Sequence, residues 1–153
     1  MYIYGFDLSM SNSGIAIFDF NGNIKHICSV ATNDKETHGK RLKTIADFIV
    51  DLQKQYPAKT VVIERGFARF NIATSVIYRV HGLVNFLFWD TIQIYYPPKT
   101  VKEAIVNGKA TKEQVRKEIE NHYPEIVFNN EDESDAVATG LTYFIKKKSI
   151  IWR

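Results

Sequence analysis

The chain has 153 residues, of which 45% are hydrophobic and 24% charged, with a formal net charge of +3; this is the profile of one globular domain over 1–153, not of a disordered or fibrous chain. Its single cysteine, Cys28, rules out an internal disulfide and a zinc site built on paired cysteines, and within IKHICSV it reads as a small strand hydrophobe. The longest apolar run, HGLVNFLFWD, falls far short of the roughly 18 residues of a membrane span, and MYIYGFDLSM lacks a basic, signal-like start, so a cytoplasmic protein is expected.

Residues 2–8 (YIYGFDL) form an apolar, β-prone run that gives way to a turn in SMSNSG. Residues 14–20 (GIAIFDF) form a second strand, and Asn21-Gly22 predicts a two-residue hairpin into a returning strand at 24–31 (IKHICSVA). The period then changes. Leu42, Ile45, Ala46, Ile49 and Leu52 recur at three- and four-residue steps, which predicts an amphipathic helix over 37–55. Residues 60–64 (TVVIE) are a continuous β-branched run, as in a strand buried on both faces.

Residues 71–90 read as a helix with apolar residues on two rows. Ile72, Val76, Val80, Leu83 and Leu87 make one, and Ile77, Val84, Phe88 and Trp89 the other. A sheet covers one such face, which leaves the second for a partner copy or for another helix of the same chain. Residues 92–96 (IQIYY) form a fifth strand, stopped by Pro97-Pro98. Thr111 with Gln114 fits a capping box that opens a helix to about Tyr123. Asn130 with Glu133 fits a weaker variant, opening a last helix to about Lys147.

Three meander strands followed by helix-connected strands give the element order of the ribonuclease H-like α/β fold. That fold is a mixed five-stranded sheet, a three-strand antiparallel meander plus two parallel strands, flanked by helices. It also hosts sugar kinases and actin-like ATPases, so function has to come from the side chains.

Four carboxylates stand out. Asp7 lies near the end of the first strand inside an apolar run, where a charge is costly unless it is paired or metal-bound. Glu64 closes TVVIE at the strand end where ligands sit in open α/β sheets. If these two strands are neighbours the two anions repel, and a divalent cation resolves the conflict. Asp132 and Asp135 share one face at the head of the last helix, ahead of Ala136, Ala138 and Gly140, whose small size lets that helix lie close to the sheet. Individually, Asp7 also fits a turn-capping role, and Asp132 and Asp135 fit the positive end of a helix dipole. Hard oxygen ligands without histidine or cysteine suit Mg2+ or Mn2+, and a pair of such ions per site can cleave a phosphodiester. His26, His38, His81 and His122 show no ligand spacing.

Basic residues gather at Arg65, Arg69 and Arg79, from Lys99 through Lys102, Lys109, Lys112, Arg116 and Lys117, and at Lys146–Lys148, whereas NNEDESD is acidic. An acidic knot in a basic chain suits a metal site that faces a polyanion.

Taken together, GFDLSMSNSG, VVIERGF, PPKTVKEAIVNGKATKEQV and DESDAVATGL resemble, in this order, the motifs of the RuvC family of Holliday junction resolvases, its bacteriophage branch included. The resemblance implies Asp7, Glu64, Asp132 and Asp135 as catalytic metal ligands. It also implies Lys112 beside the scissile phosphate, Lys102 and Lys109 as basic DNA contacts, and Phe67 stacking on an unpaired junction base, worth on the order of 1–3 kcal/mol. Arg65 and Arg69 would then touch backbone phosphates. It further implies a magnesium-dependent endodeoxyribonuclease, a homodimer through helix 71–90, and paired symmetric nicks in a four-way DNA junction. The sequence departs from the family at DESD, where cellular members carry small residues between the aspartates, so Glu133 is an alternative ligand to Asp132. The end KKKSIIWR has no counterpart in the resemblance. Other readings of the same acids are a flap-type nuclease, an RNA–DNA hybrid nuclease and a junction-binding protein that does not cleave.

Overall fold

The computed structural model describes residues 1–66 and 72–152. Five strands form one sheet: β1 (Tyr2–Asp7), β2 (Asn12–Phe18), β3 (Ile24–Ala31), β4 (Ala58–Glu64) and β5 (Ile92–Tyr96). Their spatial order is β3-β2-β1-β4-β5. The first three strands are antiparallel, and β4 and β5 join β1 in parallel. This is the ribonuclease H-like sheet that the element order predicts.

Five helices flank it: α1 (His38–Gln55), α2 (Ile72–Leu87), α3 (Pro98–Ile105), α4 (Lys112–His122) and α5 (Glu131–Lys146). Successive strand residues point to opposite faces, so each strand contributes to two separate cores. Tyr4, Phe6, Ile15, Ile17, Val61 and Ile63 pack toward α1 and α2. Ile3, Ala16, Phe18 and Val62 pack toward α3, α4 and α5. By the same parity Asp7, two residues beyond Gly5, and Glu64, two beyond Val62, belong to the α5 face.

Three local differences from the sequence reading have physical causes. The β2–β3 connection spans residues 19–23, wider than a two-residue hairpin. Gly22 has φ 86°, but Asn21 does not join it in the left-handed region that a type I′ turn requires at both centres. The Asp19 carboxylate instead accepts bonds from Asn21 N at 2.9 Å, Asn23 N at 3.0 Å and Asn23 Nδ2 at 2.8 Å, closing a broader loop. Pro97-Pro98 ends β5 and also begins α3, with Pro97 as N-cap and Pro98 in the first turn, where a fixed φ favours the helix. On α2 and the turn that follows it, Val80, Val84 and Phe88 form one buried row, whereas Trp89 is exposed together with Tyr78 and Phe86. The second apolar row of the sequence is thus split between core and surface.

The capping box of Thr111 and Gln114 forms with both of its bonds. Asn130 caps α5 by accepting from Glu133 N at 3.0 Å. The C-terminal segment to Trp152 folds back: the Trp152 indole donates to the Ile105 carbonyl at 2.9 Å and stacks on His122 at 4.1 Å. Among the described residues, no helix is long and apolar enough to cross a membrane.

Candidate active site

The site sits where β1 and β4 end and α5 begins. Phe6 pairs with Ile63 in the parallel β1–β4 register, so Asp7 and Glu64 follow side by side at the carboxyl edge of the sheet. Both project to the face covered by α5. That helix comes unusually near because glycine faces it: a Cβ on Gly5 would lie 2.4 Å from the Ala136 carbonyl oxygen. On β2, Gly14 pairs with Asp7. A Cβ at Gly14 would lie 1.9 Å from the Asp132 carbonyl oxygen. Small residues on strand and helix therefore bring the two aspartates of α5 to the two strand-end acids.

The crowding is electrostatically visible. Burial, then the charges of Asp135, Glu64 and Asp132, push the Asp7 carboxyl up to about 8. Burial and Asp135 push Glu64 up to about 7, with Lys112 and Lys102 opposing. Asp135 is also raised, first by burial, although Lys112 works against it. Lys112 donates to Asp135 Oδ2 at 2.6 Å and to Glu131 Oε2 at 3.2 Å. Partial burial works against the Lys112 ammonium, but these two carboxylates hold it above its ordinary range. Asn12 Nδ2 donates to Asp132 Oδ2 at 2.6 Å.

As they stand, no three acidic, histidine or cysteine side chains among the described residues close on one point as a metal cage. Asp135 is drawn to Lys112 and Asp132 to Asn12, and like charges hold the set apart. The chemistry of the set nevertheless fits a hard divalent cation. All four groups are carboxylates, the proton affinities of Asp7, Glu64 and Asp135 are raised, and a cation would relieve that repulsion. Beside them a cleft of about 300 Å3 is lined by Glu64, Lys102, Lys112 and Asp135 on its polar side and by Val101 and Val115 on its apolar side.

Glu133, the alternative ligand, is placed elsewhere. It is buried, and its carboxylate accepts from Asn129 N at 2.8 Å, from Asn129 Nδ2 at 3.3 Å and from Ser29 Oγ at 3.3 Å. One residue along a helix turns the side chain by about 100°, so Glu133 meets Ser29 of β3 while Asp132 meets Asn12 of β2. Of the basic residues, Lys102 joins the cleft, whereas Lys109 is exposed in the loop before α4 and is absent from its lining. Arg65 is exposed at a neighbouring, larger cleft with Tyr78, His81, Asn85 and Tyr95. Phe67 and Arg69 lie outside the described residues. Two polar partners escape the sequence reading. Asn12 lies in the turn-like SMSNSG, and Glu131 stands at the head of a run that looks merely solvated.

The chain is similar to known proteins over nearly its whole length. The family model described as "Crossover junction endodeoxyribonuclease RuvC" matches residues 3–143. The crossover junction endodeoxyribonuclease RuvC of Ehrlichia chaffeensis is 32% identical over 155 residues, covering 97% of this chain and 99% of its own. The protein of the same description from Orientia tsutsugamushi is 30% identical, covering 93% and 94%. Among solved structures, T. thermophilus RuvC in complex with a Holliday junction substrate superposes with a TM-score of 0.84 at 18% identity, over 97% of this chain and 96% of that one.

Proposed function

The chain belongs to the RuvC family of crossover junction endodeoxyribonucleases, and we propose that it resolves four-way DNA junctions by nicking two strands symmetrically. The observation that carries the site assignment is the cluster of Asp7, Glu64 and Asp135. They are three acids from three separate elements, Asp135 buried and Asp7 and Glu64 partly so, and burial with neighbouring carboxylates pushes Asp7 and Glu64 up to about 8 and about 7. A fold has little reason to assemble such a cluster except to bind cations.

In this reading Asp7, Glu64, Asp132 and Asp135 hold two divalent ions, Mg2+ or Mn2+. When bound, such ions activate water and stabilise the leaving oxygen of an in-line phosphodiester displacement. The protein's own groups orient the substrate. Lys112, which donates to Asp135 at the edge of the cleft, would place its ammonium against the negative charge that grows on the scissile phosphate. Lys102, which lines the cleft with Lys112, and Arg65, next to Glu64, bind flanking phosphates; Lys109, Arg69 and Phe67 are further candidate DNA contacts.

The enzyme acts as a homodimer through α2. Tyr78 and Phe86 are exposed on it and Trp89 in the turn that follows it, the last two 73% and 78%. A Cβ on Gly82 would meet nothing within 4 Å, which leaves a flat place for a second helix. Large aromatic side chains left in water on one helix are the usual mark of a protein interface.

Cleavage of matched four-way, flap, duplex and RNA–DNA hybrid substrates, with Mg2+ or Mn2+, tests the reading. Paired nicks confined to the four-way junction support it. Faster cleavage of flap or hybrid assigns the chain to another nuclease of this fold, and junction binding without nicking in either metal assigns it to a binding protein.

A further inference from the structure

Asp132 differs from the other three acids in how it is held. Asp7 and Glu64 are fixed by strands, and Asp135 is buried against Lys112. Asp132 is only half-buried, at the first turn of α5. Its main chain is pressed against Gly14 of β2. Its side chain is met by Asn12, from the same strand, at 2.6 Å. A carboxylate oxygen only accepts in that contact, so it is the amide nitrogen of Asn12 that must face it.

The segment that carries Asn12 is knotted to keep the amide in place. The Ser9 hydroxyl donates to the Asn12 carbonyl at 2.7 Å and accepts from Asn12 N at 3.1 Å. The Ser13 hydroxyl donates to the Ser9 carbonyl at 2.7 Å and accepts from Ser9 N at 3.1 Å. From outside, the buried Arg41 guanidinium donates to the Met10 carbonyl at 3.2 Å and to the Thr32 hydroxyl at 2.8 Å. Six bonds thus tie the turn at both ends and brace it from α1, fixing the position of one amide.

We infer that Asn12 is a positioning residue: its amide occupies one oxygen of Asp132 and aims the other at the cation site. The inference rests on the proposed role of Asp132 as a ligand. Hydrogen bonds that orient a metal-binding carboxylate act through the ligand's geometry, and their loss typically weakens metal binding by roughly 10–100-fold. Asn12 touches neither the phosphate nor the attacking water, so its removal costs metal affinity and not the rate at saturation.

The test is Mn2+ binding to the DNA-free protein, followed by electron paramagnetic resonance, for wild type, Asn12→Leu, Asn12→Ala and Asp132→Asn. The Mg2+ dependence of junction nicking and metal-free melting temperatures are measured alongside. Asn12→Leu keeps the side-chain volume and removes the donor, which guards against loss of packing in the turn. Both Asn12 variants are expected to bind Mn2+ about 10-fold more weakly, to nick near the wild-type rate at saturating Mg2+, and to melt with wild type. Wild-type Mn2+ affinity in Asn12→Leu, with Asp132→Asn weakened, overturns the positioning role. A lowered melting temperature with unchanged Mn2+ affinity overturns it too, since Asn12 then serves only the turn. Unchanged Mn2+ binding in Asp132→Asn overturns the ligand role of Asp132 instead, a result separable from the first.

Discussion

The carbonyl of Asp132 fills the space where a side chain on Gly14 would begin, 1.9 Å from the ideal Cβ position. Because Gly14 also pairs with Asp7 across β1 and β2, this one missing side chain sets the distance between the meander and the head of α5. It lets an acid on a strand and an acid on a helix share one site.

Gly14→Ala is therefore expected to push α5 off the sheet at its catalytic end. The contact is with backbone, which cannot swing aside, so the overpacking costs about 1–3 kcal/mol. That corresponds to a fall of roughly 3–10 °C in melting temperature for a chain of this size. Junction nicking should fall further than stability alone explains. A variant with wild-type melting and nicking would show that α5 does not need this approach.

Asp7→Asn keeps the shape of the strand end and removes one charge. It is expected to lower magnesium-dependent nicking by more than about 100-fold, the upper range for an outer-shell partner of a metal ligand, while leaving junction binding in metal-free buffer intact. Gel-shift and nicking assays on one preparation separate the two. Retained nicking would rule out the ligand role.

The raised acids give the metal-free protein a definite pH dependence. Asp7 and Glu64 hold their protons up to about 8 and about 7 in the fold, against ordinary values of 3.8 and 4.5. Their protonated forms favour the native state, so this contribution is complete below the ordinary carboxylate range and is lost as pH rises through 7 and 8. The metal-free melting temperature should fall between about pH 5 and about pH 9 on this account, and Asp7→Asn should flatten the slope. Added Mg2+ should restore stability most at the alkaline end, because bound metal requires the deprotonated ligands. A melting temperature that climbs over the same interval would contradict the crowding of these acids.

Lys112→Met removes the ammonium that bridges Asp135 and Glu131. If the lysine serves the scissile phosphate, the nicking rate at saturating metal falls by about 100- to 1000-fold, as for the loss of one preorganised electrostatic contact. Metal binding to the free protein should be retained or tightened, since Asp135 loses its competitor. Weakened Mn2+ binding would instead make Lys112 a support for the metal site.

Phe86→Asp and Trp89→Asp place a charge on the exposed aromatic face of α2 and the turn that follows it. Wild type should scatter light as a dimer, twice the 17.6 kDa chain mass, and each variant as a monomer with impaired paired nicking. A monomeric wild type at micromolar concentration would sink the proposed interface.

Much of the fold was legible in the sequence because its signals are local. The apolar, β-prone runs YIYGFDL and GIAIFDF, the β-branched TVVIE, the 3.6-residue period from Leu42 to Leu52 and the Thr111–Gln114 box each depend on neighbours a few residues away. The same locality put Asp7 and Glu64 at strand ends and Asp132 and Asp135 on one helix face. It failed where a remote partner decides. Asn21-Gly22 did not make a tight hairpin because Asp19 closed a wider loop. Trp89 went to the surface and Phe88 to the core because only one row of α2 fits against the sheet.

What the sequence by itself determined was the set of acids, the order of the elements and the membership of a family. The tertiary structure alone decided how those acids are used. Glu133, one residue from Asp132, turned to Ser29 and Asn129. Lys112 crossed 23 residues to reach Asp135, and Asn12 crossed 120 to reach Asp132. Contacts over such separations leave no periodicity in the chain. They follow from how closely glycine and alanine let α5 approach the sheet, a distance that exists only once the two are packed.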